Sequence, residues 1–267
     1  MHTLCRQVRF SVNPLGPVVS EAGFNSYASK PCGDGLAVYL GLTVALRGRL
    51  DEQTGFVVNV SEIDRVVRGD IVPLFERKIR TDFQQARAIA MEDLFDLLED
   101  SVKTLQRIFE TVSVNRLILA LNPFRNISLL WENGRMRTYK EQFEFAASHR
   151  LWNDKFSGAE NFQRFGKCAN PSGHGHNYIL EVSVLLPESM EESGWIGRFQ
   201  KVVEEHFLSI VDHKNLNLDV AWFSKVNPTV ENIASYAWQC LVGKFGQVKL
   251  KKITVWENER TSCSYEE

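Results

Sequence analysis

Two ten-residue stretches of this chain superpose without a gap: PCGDGLAVYL (Pro31 to Leu40) falls on PSGHGHNYIL (Pro171 to Leu180), pairing Pro31 with Pro171, Gly33 with Gly173 and Gly35 with Gly175. The element order around these anchors also recurs. Alternation over Ala37 to Arg47, with Val38, Leu40, Leu42, Val44 and Leu46 on one face, predicts a half-buried strand, and His176 to Leu186 repeats it through Tyr178, Leu180, Val182 and Val184. Each is preceded by a first strand, Leu4 to Val12 or Met136 to Ala147. Each is followed by two helices, Ser61 to Lys78 and Met91 to Phe109 in one half, Arg198 to Val211 and Thr229 to Phe245 in the other. Ser61 is the expected cap of the first helix, with Asp64 three residues on, and the Pro228-Thr229 pair suits a helix entry. Two closing strands complete each half, Val114 to Leu121 with Ile127 to Trp131, and Lys252 to Trp256 with Thr261 to Tyr265. The overlay sets AMEDLFD (Ala90 to Asp96) on TVENIAS (Thr229 to Ser235), so that Glu92 matches Glu231. A chance match would not keep both element order and glycine positions, so the chain reads as an internal duplication, ββααββ twice. Asn133-Gly134 is a two-residue hairpin signal at the junction, which gives domains 1–133 and 134–267.

Composition excludes several classes. With 267 residues, 44% hydrophobic and 24% charged, the chain is an ordinary globular one that can bury a core in each half. A net charge of −2 without clustered cations offers no field for nucleic acid or anionic lipid. The opening MHTLCRQVRF lacks the apolar core of a signal peptide, and runs such as Leu117 to Leu121 are far shorter than a membrane span, so the expected location is cytoplasmic, without a membrane partner. Five widely spaced cysteines (Cys5, Cys32, Cys168, Cys240, Cys263) argue against a disulfide framework.

The chemistry gathers in the second half. On a strand His174 and His176 share a face, and in FEFAASH the parity of Phe143, Phe145 and Ala147 places His149 at the end of the apolar face of its own strand. Three neutral imidazoles with an open position form a catalytic zinc site, whereas His-Gly-His alone would read as a surface turn. Cys168 stands six residues before His174, with turn formers between. Beside a divalent cation its thiol should be depressed in pKa and act as base or nucleophile; without one it is an inert cysteine, the reading taken for Cys5, Cys32, Cys240 and Cys263. Asp212 next to His213 either orients an imidazole for proton transfer or caps a helix end. Glu257 in ITVWENE can accept two hydrogen bonds from an amidine-like edge, while Glu231, close to Thr229, is equally explained by the helix dipole.

Five ordered motifs, FAASHRL, ENFQRFGKCANPSGHGHNY, DHKNLNLDV, PTVENIA and VWEN, resemble the 6-pyruvoyl-tetrahydropterin synthase and 6-carboxytetrahydropterin synthase family over Glu141 to Glu259. The resemblance implies an α+β chain of two tandem T-folds (tunnelling folds), antiparallel sheets with helices on one face, that assembles as a homo-oligomer with active sites at domain interfaces. It implies zinc on His149, His174 and His176, Cys168 as catalytic thiol with Asp212 and His213 as its partner dyad, and a pterin ring anchored by Glu257 with Thr229 and Glu231 lining the pocket. The implied reaction is a carbon–oxygen lyase step, in which dihydroneopterin triphosphate loses triphosphate while proton shifts turn its side chain into a diketone. The five residues between Cys168 and His174 look more like the pyruvoyl-forming members; the carboxy-forming synthase and a non-catalytic pterin- or purine-binding assembly are the alternatives. In the first half the overlay puts Pro14 at the place of His149, Asp34 at His174, Leu36 at His176 and Asn122 near Glu257, so that half keeps the pattern without the ligands. TGFVVNVSEI (Thr54 to Ile63) stays family-like there, while its counterpart SGWIGRF sets Arg198 where Asn59 stands.

Overall fold

The computed structural model describes residues 1–15, 37–132, 134–188 and 194–267. It divides into two compact units, one from Met1 to Tyr139 with Glu188, the other from Lys140 to Pro187 together with the chain from Gly194 to Glu267. The PCGDGL stretch, with Cys32, Asp34 and Leu36, lies outside the described residues, as does Asn133 of the hairpin signal.

In the first unit β1 (His2–Val12), β2 (Val38–Gly48), β3 (Ser113–Asn122) and β4 (Arg125–Leu130) pair antiparallel in sequence order. Val8, Phe10 and Val12 on β1 and Leu40, Leu42, Val44 and Leu46 on β2 form one buried face, as period-2 alternation requires. The helices cover that face: α1 (Val60–Val66) and α2 (Val72–Gln84) pack on β1, and α3 (Met91–Ile108) packs on β3 and β4. Phe10 meets Phe75 edge-on at 5.6 Å, and each fully buried side chain of this size stabilises the fold by about 1.5–3 kcal/mol. The expected helix Ser61–Lys78 differs in three ways, of which the first is that it runs on to Gln84. Its cap is Asn59, whose Oδ1 accepts from the Ser61 N–H at 3.0 Å and also binds the Ser61 hydroxyl, so the carboxamide takes the place expected of Ser61. A π-helical turn, Val67–Ile71, then separates α1 from α2.

The second unit repeats this with β5 (Met136–His149), whose first residues belong to the other unit, α4 (Gly158–Phe165), β6 (His174–Leu186), α5 (Trp195–Val203), α6 (Ser209–Val211), β7 (Lys214–Asn215), α7 (Leu216–Asp219), α8 (Val230–Leu241), β8 (Lys249–Asn258) and β9 (Thr261–Tyr265). Sheet order is β5-β6-β8-β9, with β6/β8 and β8/β9 antiparallel and the short β7 parallel to β5. Tyr178, Leu180, Val182 and Val184 bury one face of β6, and Phe145 stacks on Tyr178 at 4.9 Å while meeting Phe207 edge-on. Here too a π turn, Glu204–Leu208, interrupts the first long helix. That helix starts at Trp195 behind Gly194, so Arg198 lies one turn inside it and not at the cap position that Asn59 holds. The last helix stops at Leu241 instead of Phe245, because Gly243 turns left-handed (φ 73°) just beyond it. In both units the second residue past the end of the first long helix is a non-glycine in the left-handed region, Ala86 (φ 51°) and His213 (φ 54°).

Candidate metal centre

β5 runs two residues further than its apolar pattern and delivers His149 at its end, 1% exposed. His149 Nδ1 lies 2.7 Å from the Pro228 carbonyl, which can only accept, so the proton sits on Nδ1 and Nε2 presents a lone pair. Burial lowers the pKa of His149, against a smaller upward pull from the Pro228 hydrogen bond, and keeps the ring neutral. β6 begins at His174, so His174 and His176 both project from its first residues toward His149. The three ring centroids lie 4.6 Å (149 to 174), 5.2 Å (149 to 176) and 4.7 Å (174 to 176) apart.

Two further groups join them. Glu257, near the end of β8, brings Oε1 to 3.6 Å from His149 Nε2 and 3.5 Å from His176 Nε2. Cys168 Sγ lies 3.7 Å from His174 Nε2, which is itself 3.1 Å from His149 Nε2. The tight donor groups among the described residues are therefore His149–Cys168–His174 and His149–His176–Glu257, which share His149. The donor set fits a divalent cation of borderline softness: a tautomer-locked imidazole faces a second nitrogen, and the buried His176 Nε2 has no hydrogen-bond partner. Burial, and after it the Glu257 charge, raises the Cys168 thiol pKa. The depression argued from the sequence thus depends entirely on a cation.

Three asparagines that sequence reasoning passed over hold the segment between His149 and Cys168. Asn217 accepts from the Arg150 N–H at 2.7 Å and donates to the Arg150 carbonyl at 2.9 Å. Asn227 accepts from the Trp152 N–H, and the buried Asn161 accepts from the Asn153 N–H while its amide donates to the carbonyls of Asn153, Phe156 and Ser157. The Leu151 N–H then reaches the Cys168 carbonyl at 2.8 Å, tying the thiol's turn to the strand end. That turn follows α4, which opens with a Ser157–Glu160 capping box. No signal in the sequence goes beyond asparagine itself, which turns and helix ends use just as often.

Gly173 closes the arrangement with φ 65°, and a Cβ there would stand 2.8 Å from the His149 carbonyl. Gly173→Ala should therefore cost about 1–2 kcal/mol of backbone strain and also push on the strand end that carries His149. The expected outcome is a melting temperature several degrees lower and metal affinity weakened by about 10–100-fold, the range for groups that orient ligands. Thermal melts and metal titration of the variant check this, and unchanged values in both would refute it.

The dyad stands elsewhere. Asp212 Oδ1 accepts from the Ala146 N–H at 2.8 Å, its Oδ2 lies 2.9 Å from His213 Nδ1, and the His213 N–H donates to the Ala146 carbonyl at 2.6 Å. The Ala146 hydrogen bond is the main reason that Asp212 stays below the usual carboxylate range. Alternation along β5 sets Ala146 on the face opposite Ala147 and His149, and the His213 side chain is 82% exposed. Among the described residues no hydrogen bond or ion pair joins the dyad to Cys168. His213 instead borders an open pocket of about 450 Å³ with Ala146, Ser148, Gly175, His176 and Asn177. Thr229 caps α8, its Oγ1 accepting from the Asn232 N–H, and Glu231 lies exposed in the first turn; burial, and after it the Glu231 charge, raises the pKa of Cys263. In the first unit Asn122 accepts from the Phe124 N–H in the β3–β4 turn, and of the six histidines only His2 precedes His149.

Fold and donor set together define a T-fold chain with a candidate divalent-metal centre at the ends of β5, β6 and β8. Residues 138–267 match the family model described as 6-pyruvoyl tetrahydropterin synthase. The chain is 39% identical over 127 residues to human 6-pyruvoyl tetrahydrobiopterin synthase, covering 46% of this chain and 87% of that protein. It is 24% identical over 156 residues to 6-carboxy-5,6,7,8-tetrahydropterin synthase of Aquifex aeolicus, covering 47% of this chain and 94% of that protein. The solved structure of Caenorhabditis elegans 6-pyruvoyl tetrahydropterin synthase aligns at a TM-score of 0.44 with 33% identity, over 49% of this chain and 96% of that one. The chain belongs to the 6-pyruvoyl tetrahydropterin synthase family.

Proposed function

We propose that the protein is a zinc-dependent lyase that converts dihydroneopterin triphosphate to 6-pyruvoyl-tetrahydropterin with release of triphosphate, one working site per chain. The observation that carries this reading is the tautomer-locked His149 facing His174 and His176, with Cys168 and Glu257 at its two sides. Bound zinc supplies Lewis acidity toward the oxygens of the substrate side chain, which acidifies the neighbouring C–H bonds. Glu257 holds the amidine-like edge of the pterin, with Thr229 and Glu231 beside it, and so orients the side chain toward the histidines. Cys168 takes a proton at one side of that chain. His213, oriented by Asp212 through the 2.9 Å contact, moves a proton at the other. His213 is exposed and no hydrogen bond joins it to Cys168 within the described chain, which supports a dyad that serves the thiol of a neighbouring subunit in a homo-oligomer. The first unit serves as a structural partner, and among its described residues no group of three metal donors gathers. The four described cysteines are free thiols, in keeping with a cytoplasmic protein, and no helix among the described residues is long and apolar enough to cross a membrane.

The pyruvoyl product is favoured over the carboxy product by the 39% identity to the human synthase against 24% to the carboxy-forming relative. The test is to incubate the purified chain, its zinc content measured, with dihydroneopterin triphosphate, and to follow triphosphate release and product mass. The pyruvoyl mass is expected. The carboxy mass would move the chain to the other branch of the family, and no triphosphate release at full zinc occupancy would sink the lyase reading.

A further inference from the structure

The open pocket beside the metal centre has walls that suit an anion. Its volume of about 450 Å³ falls within the about 300–1,000 Å³ usual for small-molecule sites, and it shares His176 with the metal centre and His213 with the dyad. Its other polar walls are Ser148, Asn177 and Lys214, and among the described residues no carboxylate lines it. Asp212, next to it in the chain, has both oxygens engaged, Oδ1 by the Ala146 N–H and Oδ2 by His213 Nδ1. The side chains of Ser148, Asn177 and Lys214 have no hydrogen bond or ion pair among the described residues. A hydroxyl, an amide and an ammonium thus line one pocket as donors without acceptors.

The internal duplication sharpens the case for Lys214. Arg87 follows the left-handed Ala86 in the first unit as Lys214 follows the left-handed His213 in the second. Arg87 is held at 2.7 Å by Asp82, which stands four residues before Ala86 and is 1% exposed. Four residues before His213 stands Ser209, whose hydroxyl turns back to the Glu205 carbonyl. The same bend therefore carries a neutralised cation in one half and an open one in the other. Its main chain is nonetheless pinned, since Lys214 pairs with Ala147 of β5 and the His213 N–H holds the Ala146 carbonyl. Little ordering of the backbone is left for a ligand to bring about.

We propose that this pocket is the subsite for the triphosphate of the substrate, with Lys214 as its principal cation and Asn177 and Ser148 as further donors, a proposal that rests on the lyase reading of the neighbouring centre. The triphosphate is the part of dihydroneopterin triphosphate that calls for cations and hydrogen-bond donors without acids. Glu257, to which that reading assigns the pterin ring, does not line the pocket, so the two ends of the substrate have separate anchors with His176 beside both. Released triphosphate should bind the same place and compete with substrate.

Inorganic triphosphate, added as its Mg2+ complex to the zinc-loaded full-length chain, is titrated by calorimetry and as an inhibitor of turnover. Competitive inhibition that strengthens from phosphate to diphosphate to triphosphate is expected. Lys214→Met and Asn177→Asp should each weaken triphosphate binding by about 10–100-fold, the effect of losing one charge-assisted hydrogen bond or of adding a like charge. Both should act on KM for dihydroneopterin triphosphate far more than on kcat. Lys214→Arg keeps the charge and should restore the affinity, at the same melting temperature and metal content as Lys214→Met. Unchanged triphosphate binding in both Lys214→Met and Asn177→Asp would overturn the subsite, since binding through the metal alone is indifferent to either substitution. Calorimetry needs no turnover, so a chain that binds inorganic triphosphate through Lys214 yet releases none from the pterin keeps the subsite and loses the lyase reading.

Discussion

His149→Ala is expected to yield a folded protein that is purified with almost no metal and releases no triphosphate from dihydroneopterin triphosphate. His149 is the one donor common to both tight groups of the centre, and its Nε2 is the one lone pair the fold fixes in advance through the Pro228 carbonyl. Loss of an orienting group around a metal costs about 10–100-fold in affinity, and loss of this ligand should exceed that range. The substitution also leaves the Pro228 carbonyl without its donor, a penalty of about 1–3 kcal/mol, which a domain of this size can absorb. Metal analysis beside a thermal melt checks the result. A folded variant with one metal per chain would remove His149 from the ligand set.

Cys168→Ala should behave in the opposite way toward the metal while losing turnover. His149, His174 and His176 remain, so metal content stays near one per chain, whereas release of triphosphate falls by about 10²–10⁴-fold, the contribution expected of a positioned acid or base. Stopped-flow or single-turnover measurement with the metal-loaded variant is the check. Activity within tenfold of the parent would mean that the proton is handled elsewhere, and the thiol would lose its catalytic role.

Much of the centre was legible because strands impose a two-residue period. Parity alone joined His149 to Phe143, Phe145 and Ala147, and joined His174 to His176, and the structure brings all three rings together. Parity says nothing of Asp212 and His213, whose contacts are with the Ala146 backbone N–H and carbonyl in the plane of the sheet. What could not be read were contacts from side chains to distant backbone. Asn161, Asn217 and Asn227 hold residues 150, 152 and 153, and nothing near them in the sequence reveals those partners. The π turns were equally hidden, because one extra residue inside a continuous apolar pattern leaves the periodicity almost unchanged. Capping failed for a local reason: Asn59 and Ser61 both suit a helix start, and the carboxamide of Asn59 binds both the N–H and the hydroxyl of Ser61.

The left-handed residue after the first long helix has a wider meaning. His213 adopts this conformation beside Asp212, and Ala86, which carries no titratable group, adopts it at the matching place with Gln85 before it. A backbone conformation that recurs at the matching place under a different side chain belongs to the scaffold, and the imidazole is a passenger on a bend that exists without it. The side chain at this corner is thus separable from the architecture: residues can come and go there while the chain turns the same way.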